Sequence, residues 1–443
     1  MTHTHQETKN STNKSTLFSK IPVPDYEQIL NCMHCGMCLP SCPTYEMTGL
    51  EKYSPRGRIR MIKAVADGEL SITENYIESL DFCLDCQACV TACPAGVEYG
   101  KLVEAAHNQI SEHQKQNGKN SFKTLILNKL FEKQSRLLSI AFFLKLYQKS
   151  GLEFLVQKSK ILFLISKKLH NLSFMVPKVP EYKKYEFYTK NQQSTLKGKV
   201  GVITGCVQDA FFNNVNHDTI EVLAYNGYEV ITPKSQQCCG SVSGHNGELD
   251  SARHQAKKII DQFYTENVDN IIINSAGCGS YMKEYHTLLE DDPIYAEKAI
   301  WFSDRVKDIS EFLVDQGFIK PVLNRKMIVT YHEPCHLVHG QKISKQPREI
   351  IEALPGVEFI EMEESDWCCG SAGIYNITHY DHSMILLERK FDKLKKTKAD
   401  YVVSGNPGCM IQLAYGNHKF NSDFKILHPV SLLNNFYKGG EDA

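Results

Sequence analysis

Cys32-Met33-His34-Cys35-Gly36-Met37-Cys38-Leu39-Pro40-Ser41-Cys42-Pro43 is answered later in the chain by Cys83-Leu84-Asp85-Cys86-Gln87-Ala88-Cys89-Val90-Thr91-Ala92-Cys93-Pro94. Both stretches space their cysteines as Cys-x2-Cys-x2-Cys-x3-Cys-Pro, and every cysteine of the second lies 51 residues after its counterpart. Zinc sites usually pair two Cys-x2-Cys units across a long spacer. Four cysteines in one tight run, twice, is a different pattern.

It is the duplicated bacterial ferredoxin signature, which holds two [4Fe–4S] clusters. Three thiolates two residues apart wrap one face of a cubane, while the fourth, on a following helical turn, points away and serves the other cluster. Crossed ligation is therefore expected: Cys32, Cys35, Cys38 and Cys93 at one cluster, and Cys83, Cys86, Cys89 and Cys42 at the other. Pro43 and Pro94 end the binding loops. Between the runs, Ser54-Pro55 reads as an N-cap with a first-turn proline, opening a helix to about Ala66, and Thr73-Glu74 opens another that leads into Cys83. Arg56, Arg58 and Arg60 lie beside the clusters in sequence. They read equally well as compensation for cluster charge and as a solvated basic face.

The rest of the composition bounds the protein class. Sixteen cysteines in 443 residues suggest disulfides at first sight. The polar opening from Met1 to Thr16 contains no apolar signal region, and a chain of this length does not need staples. Cysteines spaced in this way read as metal ligands. The longest apolar run, Leu137–Leu144, is far short of the ~18 residues of a membrane span. The formal net charge of −1 gives no indication of nucleic-acid binding, although residues 101–190 hold 17 Lys and Arg against 6 Asp and Glu. In that segment Phe131, Leu137, Leu138, Phe142, Leu146, Leu155, Leu162 and Ile165 form helical stripes. The stripes read as packing on the protein's own domains, and the lysine excess as a docking surface for a partner subunit or an anionic membrane. Pro177 and Pro180 mark a linker.

The C-terminal half repeats itself. Cys206, Cys238-Cys239-Gly240 and Cys278 recur as Cys335, Cys368-Cys369-Gly370 and Cys409, at offsets of 129 to 131 residues. Short β-branched runs precede the cysteines: Lys199–Thr204, Tyr228–Thr232 and Asn270–Ile273, then Met327–Tyr331, Val357–Met362 and Tyr401–Val403. Helical patterns such as Asp250–Phe263 and Ser383–Lys395 lie between them. Alternating strands and helices imply a mostly parallel sheet with ligands beyond the carboxyl ends of its strands. The four cysteines of each copy should converge there, near helix N-termini that favour thiolates. His245, His332, His336 and His339 flank these cysteines and read as satisfied structural histidines ahead of ligands or proton donors.

The expected fold is α+β and multidomain. Residues 1–24 are a disordered tail, 25–112 a helical dicluster ferredoxin domain, and 113–190 a basic helical segment with its linker. Residues 191–318 and 319–443 form two tandem α/β cysteine-rich modules with mostly parallel sheets.

With these residues assembled, the chain resembles the iron–sulfur subunit of bacterial glycolate oxidase over about residues 25–435. The resemblance is carried by the two cysteine runs, Ser54-Pro55-Arg56-Gly57-Arg58 and the two Cys-Cys-Gly modules. It implies a complex in which a separate flavoprotein subunit oxidises glycolate to glyoxylate and electrons pass through this chain towards quinone. It also implies a cytoplasmic place at the inner face of the membrane, with peripheral membrane contact for quinone reduction. The chain has no Gly-x-Gly-x-x-Gly and is expected to hold no flavin. The wider group includes subunits of heterodisulfide reductase, lactate-utilisation proteins and glycerol-3-phosphate dehydrogenase, and the alternatives are a heterodisulfide-reductase-like thiol–disulfide oxidoreductase subunit or the iron–sulfur subunit of a lactate or glycerol-3-phosphate dehydrogenase. The chain departs from the heterodisulfide pattern at Tyr281 and Gln412, which stand where a fifth cysteine would complete each module. That leaves Cys206, Cys238, Cys239 and Cys278, then Cys335, Cys368, Cys369 and Cys409. A further cluster and redox-active thiols both stay open for these sets.

Overall fold

The computed structural model describes residues 26–118, 129–159 and 161–439. The tail expected over residues 1–24 lies outside them. The fold is α+β: a helical N-terminal unit followed by two modules built on parallel sheets.

The N-terminal unit is made of short helices, with Pro55–Ala66, Glu74–Asp81 and Tyr99–Gln116 around its core. Both expected starts are capped. Ser54 Oγ accepts from Gly57 N–H at 3.0 Å, and Thr73 Oγ1 accepts from Tyr76 N–H at 3.3 Å. Each cap satisfies a helix-start donor that would otherwise have no partner. Ile59, Ile62 and Val65 recur every third residue and close on Tyr76, Leu80, Leu102, Val103 and Ala106.

The first sheet holds β1 (Tyr188–Thr189), β2 (Gly198–Val202), β3 (Tyr228–Ile231), β4 (Asn270–Ile273) and β5 (Val306–Asp308) in the order β1-β3-β2-β4-β5. The second holds β6 (Met327–Tyr331), β7 (Val357–Phe359), β8 (Tyr401–Val403) and β9 (Lys425–Leu427) in the order β7-β6-β8-β9. Every pair is parallel except β1 with β3. Three strands escaped the sequence reading: β1, β5 and β9. Each has two or three residues, and β5 and β9 carry Lys307, Asp308 and Lys425. Such segments become strands because a neighbouring strand offers a ladder, which propensity does not report.

The modules are fused. Val200, Val202 and Ile220 of the first share one apolar cluster with Val329, Tyr331, Ile350 and Leu433 of the second. The last helix, Pro429–Lys438, lies against Asn213–Tyr225, where Asn434 Nδ2 donates to Asp218 Oδ1 at 2.7 Å. The first module also docks on the ferredoxin unit. Gly247 has φ +82°, and a Cβ there would meet the His107 carbonyl at 2.3 Å, so only glycine allows the approach.

In the basic segment, helices Gln134–Lys149, Leu152–Ser159, Ile161–Ile165 and Lys167–Ser173 run from the first module to the second. Phe131 and Leu137 are buried in the first module's core, and Leu172 and Phe174 pack against the second. The expectation of an inward-packed stripe fails between these anchors: Phe142, Leu146, Leu155 and Ile165 are exposed.

Candidate functional site

The first cysteine loop turns at His34 and Gly36, with φ +55° and +88°, and the second at Asp85 and Gln87, with φ +49° and +60°. These left-handed residues stand 51 positions apart, so the repeat in sequence is a repeat in backbone. Cys42, Cys83, Cys86 and Cys89 line one cavity of about 290 Å3. Cys32, Cys35, Cys38 and Cys93 line another of about 450 Å3. Pro55, Cys89 and Tyr99 border both, so the cavities share a wall. One detail is corrected. Cys42 is the N-cap before helix Pro43–Thr48, which Pro43 opens, and Cys93 follows the short helix Ala88–Thr91, so the fourth cysteines stand beside helical turns rather than on them.

The surroundings fit an iron–sulfur cluster. Burial pushes the Cys86 and Cys89 thiols well above their ordinary range, and Cys83 upward. Such groups become thiolates at neutral pH when a metal holds them. Arg58 is 0% exposed and borders the 290 Å3 cavity. Its Nε donates to Ser79 O at 2.7 Å and its Nη2 to Thr44 Oγ1 at 3.1 Å. Burial works against its charge, but Tyr99, Cys83 and Cys42 outweigh that effect and hold it protonated. A buried guanidinium needs an anion, and a cluster ligated by four thiolates is one. The three arginines thus separate. Arg56 borders the other cavity, pairs with Glu51 at 2.7 Å and donates to His34 O at 3.1 Å, while Arg60 is exposed.

The remaining eight cysteines gather in two sets of four, one in each module. Cys206 Sγ lies 3.5 Å from Cys238 Sγ, and thiol contacts continue through Cys239 to Cys278. Cys335, Cys368, Cys369 and Cys409 are linked in the same way. Cys206, Cys278 and Cys409 lie in the first turns of helices, as expected. Asn406 connects the sets: its Nδ2 donates to Cys409 Sγ at 3.5 Å, and its Oδ1 accepts from Gly277 N–H at 3.3 Å. Cys86 of the ferredoxin unit and Cys368 of the second module lie in one apolar cluster, with Cys335 packed against it.

Gln412 is not a fifth ligand. It is buried, donating to Cys369 O at 3.3 Å and Ser383 Oγ at 2.9 Å while accepting from Asn376 Nδ2 at 3.1 Å. Tyr281 is buried, and its ring meets His245 edge-on at 5.4 Å.

The histidines divide. His336 Nε2 donates to Asp85 O at 2.7 Å, and His339 Nδ1 lies 3.0 Å from Thr91 Oγ1. His245 Nδ1 faces Asp85 Oδ2 at 3.0 Å and Glu104 Oε1 at 2.5 Å, where all three units meet. His332 stands apart from the other three. It is 1% exposed, neither ring nitrogen has an aligned hydrogen-bond partner, and a ring nitrogen lies within 4.8 Å of the Cys369 and Cys409 sulfurs. Sequence reasoning missed Asp85, Glu104 and Lys390. Asp85 had only its place between two cysteines as a signal, and Lys390 sits in the lysine-rich helix Tyr380–Thr397, which reads as solvated.

Comparison with known proteins adds three family matches: a 4Fe-4S dicluster domain over residues 28–97, a cysteine-rich domain over 200–283 and 329–414, and the linker region of the glycolate oxidase iron-sulfur subunit over 118–173. A probable glycolate oxidase iron-sulfur subunit of Bacillus subtilis is 39% identical over 92% of this chain and 94% of its own length. The glycolate oxidase iron-sulfur subunit of Escherichia coli is 29% identical over 86% and 89%. Lactate utilization protein A of Oceanobacillus iheyensis is 30% identical over 55% of this chain and 99% of itself.

Proposed function

The chain belongs to the glycolate oxidase iron–sulfur subunit family, and from that premise we propose that it is the electron carrier of a complex whose separate flavoprotein subunit oxidises glycolate to glyoxylate. Electrons leave towards quinone at the cytoplasmic face of a membrane.

Two [4Fe–4S] clusters supply one-electron transfer when bound. Cys32, Cys35, Cys38 and Cys93 hold one, and Cys42, Cys83, Cys86 and Cys89 hold the other. The observation that carries this reading is an alignment of stations. The two cysteine-lined cavities share Cys89, and the second packs through Cys86 against Cys368 and Cys335. Around the first, Cys35, Met33 and Met37 are exposed, which makes it the side for a partner's redox group. Polarisable methionines suit such a surface. In the first module, donation from Cys206 holds Cys238 well below the usual thiol range, which favours redox-active thiols there.

The membrane contact is assigned to residues 140–169. Phe143, Phe154, Leu164 and Ile165 are 62 to 84% exposed, with Lys145, Lys149, Lys158, Lys167 and Lys168 among them. Apolar side chains set among lysines suit an anionic lipid surface. Among the described residues, no helix is long and apolar enough to cross a membrane.

The test is iron and acid-labile sulfide per anaerobically purified chain, followed by reduction with glycolate in the presence and absence of the flavoprotein. About eight iron and eight sulfide correspond to two cubanes, and more would place further groups in the modules. Reduction should require the flavoprotein. Fewer than eight iron in intact chain, or reduction by glycolate alone, would overturn the reading.

A further inference from the structure

Aligned by their matching cysteines, the two modules differ at several buried positions, and two of these set polar groups beside the thiols of the second module. His332, three residues before Cys335, corresponds to Ile203, three before Cys206. Lys390, 21 residues after Cys369, corresponds to Ile260, 21 after Cys239. All four side chains are at most 1% exposed. The first module therefore surrounds its thiols with hydrocarbon where the second places an imidazole and an ammonium.

Lys390 is held by backbone carbonyls, whereas the ring of His332 is not explained by the fold. The backbone of His332 is fixed at the end of β6 by a bond from its N–H to Val403 O at 2.9 Å. Its ring makes no well-aligned hydrogen bond, and a weak one to the Ser365 backbone would engage a single ring nitrogen and leave the other without a partner. The structure gathers a ring nitrogen of His332 and the sulfurs of Cys369 and Cys409 within 4.8 Å of one another, all buried. Lys390 Nζ donates to Glu364 O at 2.5 Å and Ser365 O at 3.2 Å, and Cys368 and Cys369 act on its charge. Gly370 N–H points at Cys368 Sγ at 3.4 Å, and Asn406 Nδ2 at Cys409 Sγ at 3.5 Å. Donors to sulfur and a nearby cation favour thiolates carrying negative charge.

We propose that the second module holds an iron–sulfur centre in which His332 supplies a nitrogen ligand beside Cys335, Cys368, Cys369 and Cys409, and that the first module holds no such centre. This rests on the electron-carrier reading, since the centre would continue the path from Cys86. A neutral imidazole beside thiolates withdraws less negative charge from solvent than a fifth thiolate would bring, and nitrogen ligation raises the reduction potential of a cluster. The centre would accept electrons from the ferredoxin clusters.

The experiment uses the full chain, purified anaerobically after growth with 15N-imidazole histidine. Iron and zinc are counted, and pulsed paramagnetic resonance is recorded on the reduced protein. The wild type should hold more than eight iron and show a signal with imidazole-nitrogen coupling. His332→Ala should lose that coupling while both ferredoxin signals remain. Should the alanine variant fail to fold, His332→Cys serves instead: it should keep the iron, lose the coupling and shift the centre to lower potential. Coupling that persists in both variants, only eight iron in the wild type, or zinc in the second module would each overturn the proposal. Fewer than eight iron in the wild type, with no ferredoxin signals, would instead mean that the carrier reading itself fails.

Discussion

Arg58 and Thr44 meet beside the second cysteine cavity: Nη2 donates to Oγ1 at 3.1 Å, and the same hydroxyl lies 3.3 Å from Cys42 Sγ. The contact ties a buried positive charge to the one ligand candidate that comes from the other cysteine run. It places the guanidinium where a reduced cluster's extra negative charge would be felt. One unit charge at ~7 Å, with an effective dielectric of ~20, is worth ~2 kcal/mol. Arg58→Gln should therefore lower the potential of the cluster in that cavity by on the order of 50–100 mV and leave the other within error. Redox titration of the two paramagnetic signals checks it. Equal shifts in both clusters would mean that Arg58 acts through the fold instead.

Crossed ligation makes a sharper demand. Cys42 is nearer in sequence to Cys38, but it borders the cavity of Cys83, Cys86 and Cys89. Cys42→Ser should weaken or convert the cluster held by those three and spare the one held by Cys32, Cys35, Cys38 and Cys93. Loss of the Cys32 cluster's signal alone would reverse the assignment.

The junction of the three units should respond to pH. Burial pulls His245 down, but Glu104 and Asp85 outweigh it and hold the imidazole well above its usual range. Because the folded pKa is raised, the stabilisation is complete below the unfolded value of about 6.5 and is lost as pH rises through the folded pKa. Glu284, raised to about 7 by burial and then by Glu104, adds a loss of its own at lower pH, between the ordinary carboxylate range and about 7. Melting temperature should thus fall from neutral to alkaline pH in the wild type. His245→Gln should start lower and vary less. A variant that tracks the wild type at every pH would show that the imidazole contributes no charge to the junction.

Much of this was legible because cysteine spacing is a geometric code. Offsets of 51 residues, and then of 129 to 131, announced both duplications before any contact was known. Strands Asn270–Ile273, Met327–Tyr331 and Tyr401–Val403 were readable to the residue, since β-branched runs bounded by turn residues have few other uses. Asp85, Glu104 and His245 were not readable as a group. They come from two units, and their meeting depends on how close Gly247 lets two backbones come. The surroundings of His332 were hidden for a related reason. Whether a buried histidine is satisfied depends on which carbonyls align with its ring, and that information is absent from the chain's order. The middle segment was misread for the opposite reason: helical apolar periodicity marks a face but not what covers it.

That segment yields the last expectation. Phe143, Phe154, Leu164 and Ile165 together expose more apolar surface than a solvated helix usually tolerates, and the lysines among them should make lipid binding depend on charge. The chain should float with vesicles containing phosphatidylglycerol, bind weakly to phosphatidylcholine alone and dissociate as salt rises. Leu164→Asp with Ile165→Asp should abolish flotation, with cluster absorbance unchanged because both side chains are exposed and distant in sequence from every cysteine. If the double variant floats like the wild type, the surface faces something other than lipid. If it also fails to assemble with the flavoprotein, the helices dock that subunit instead of the membrane.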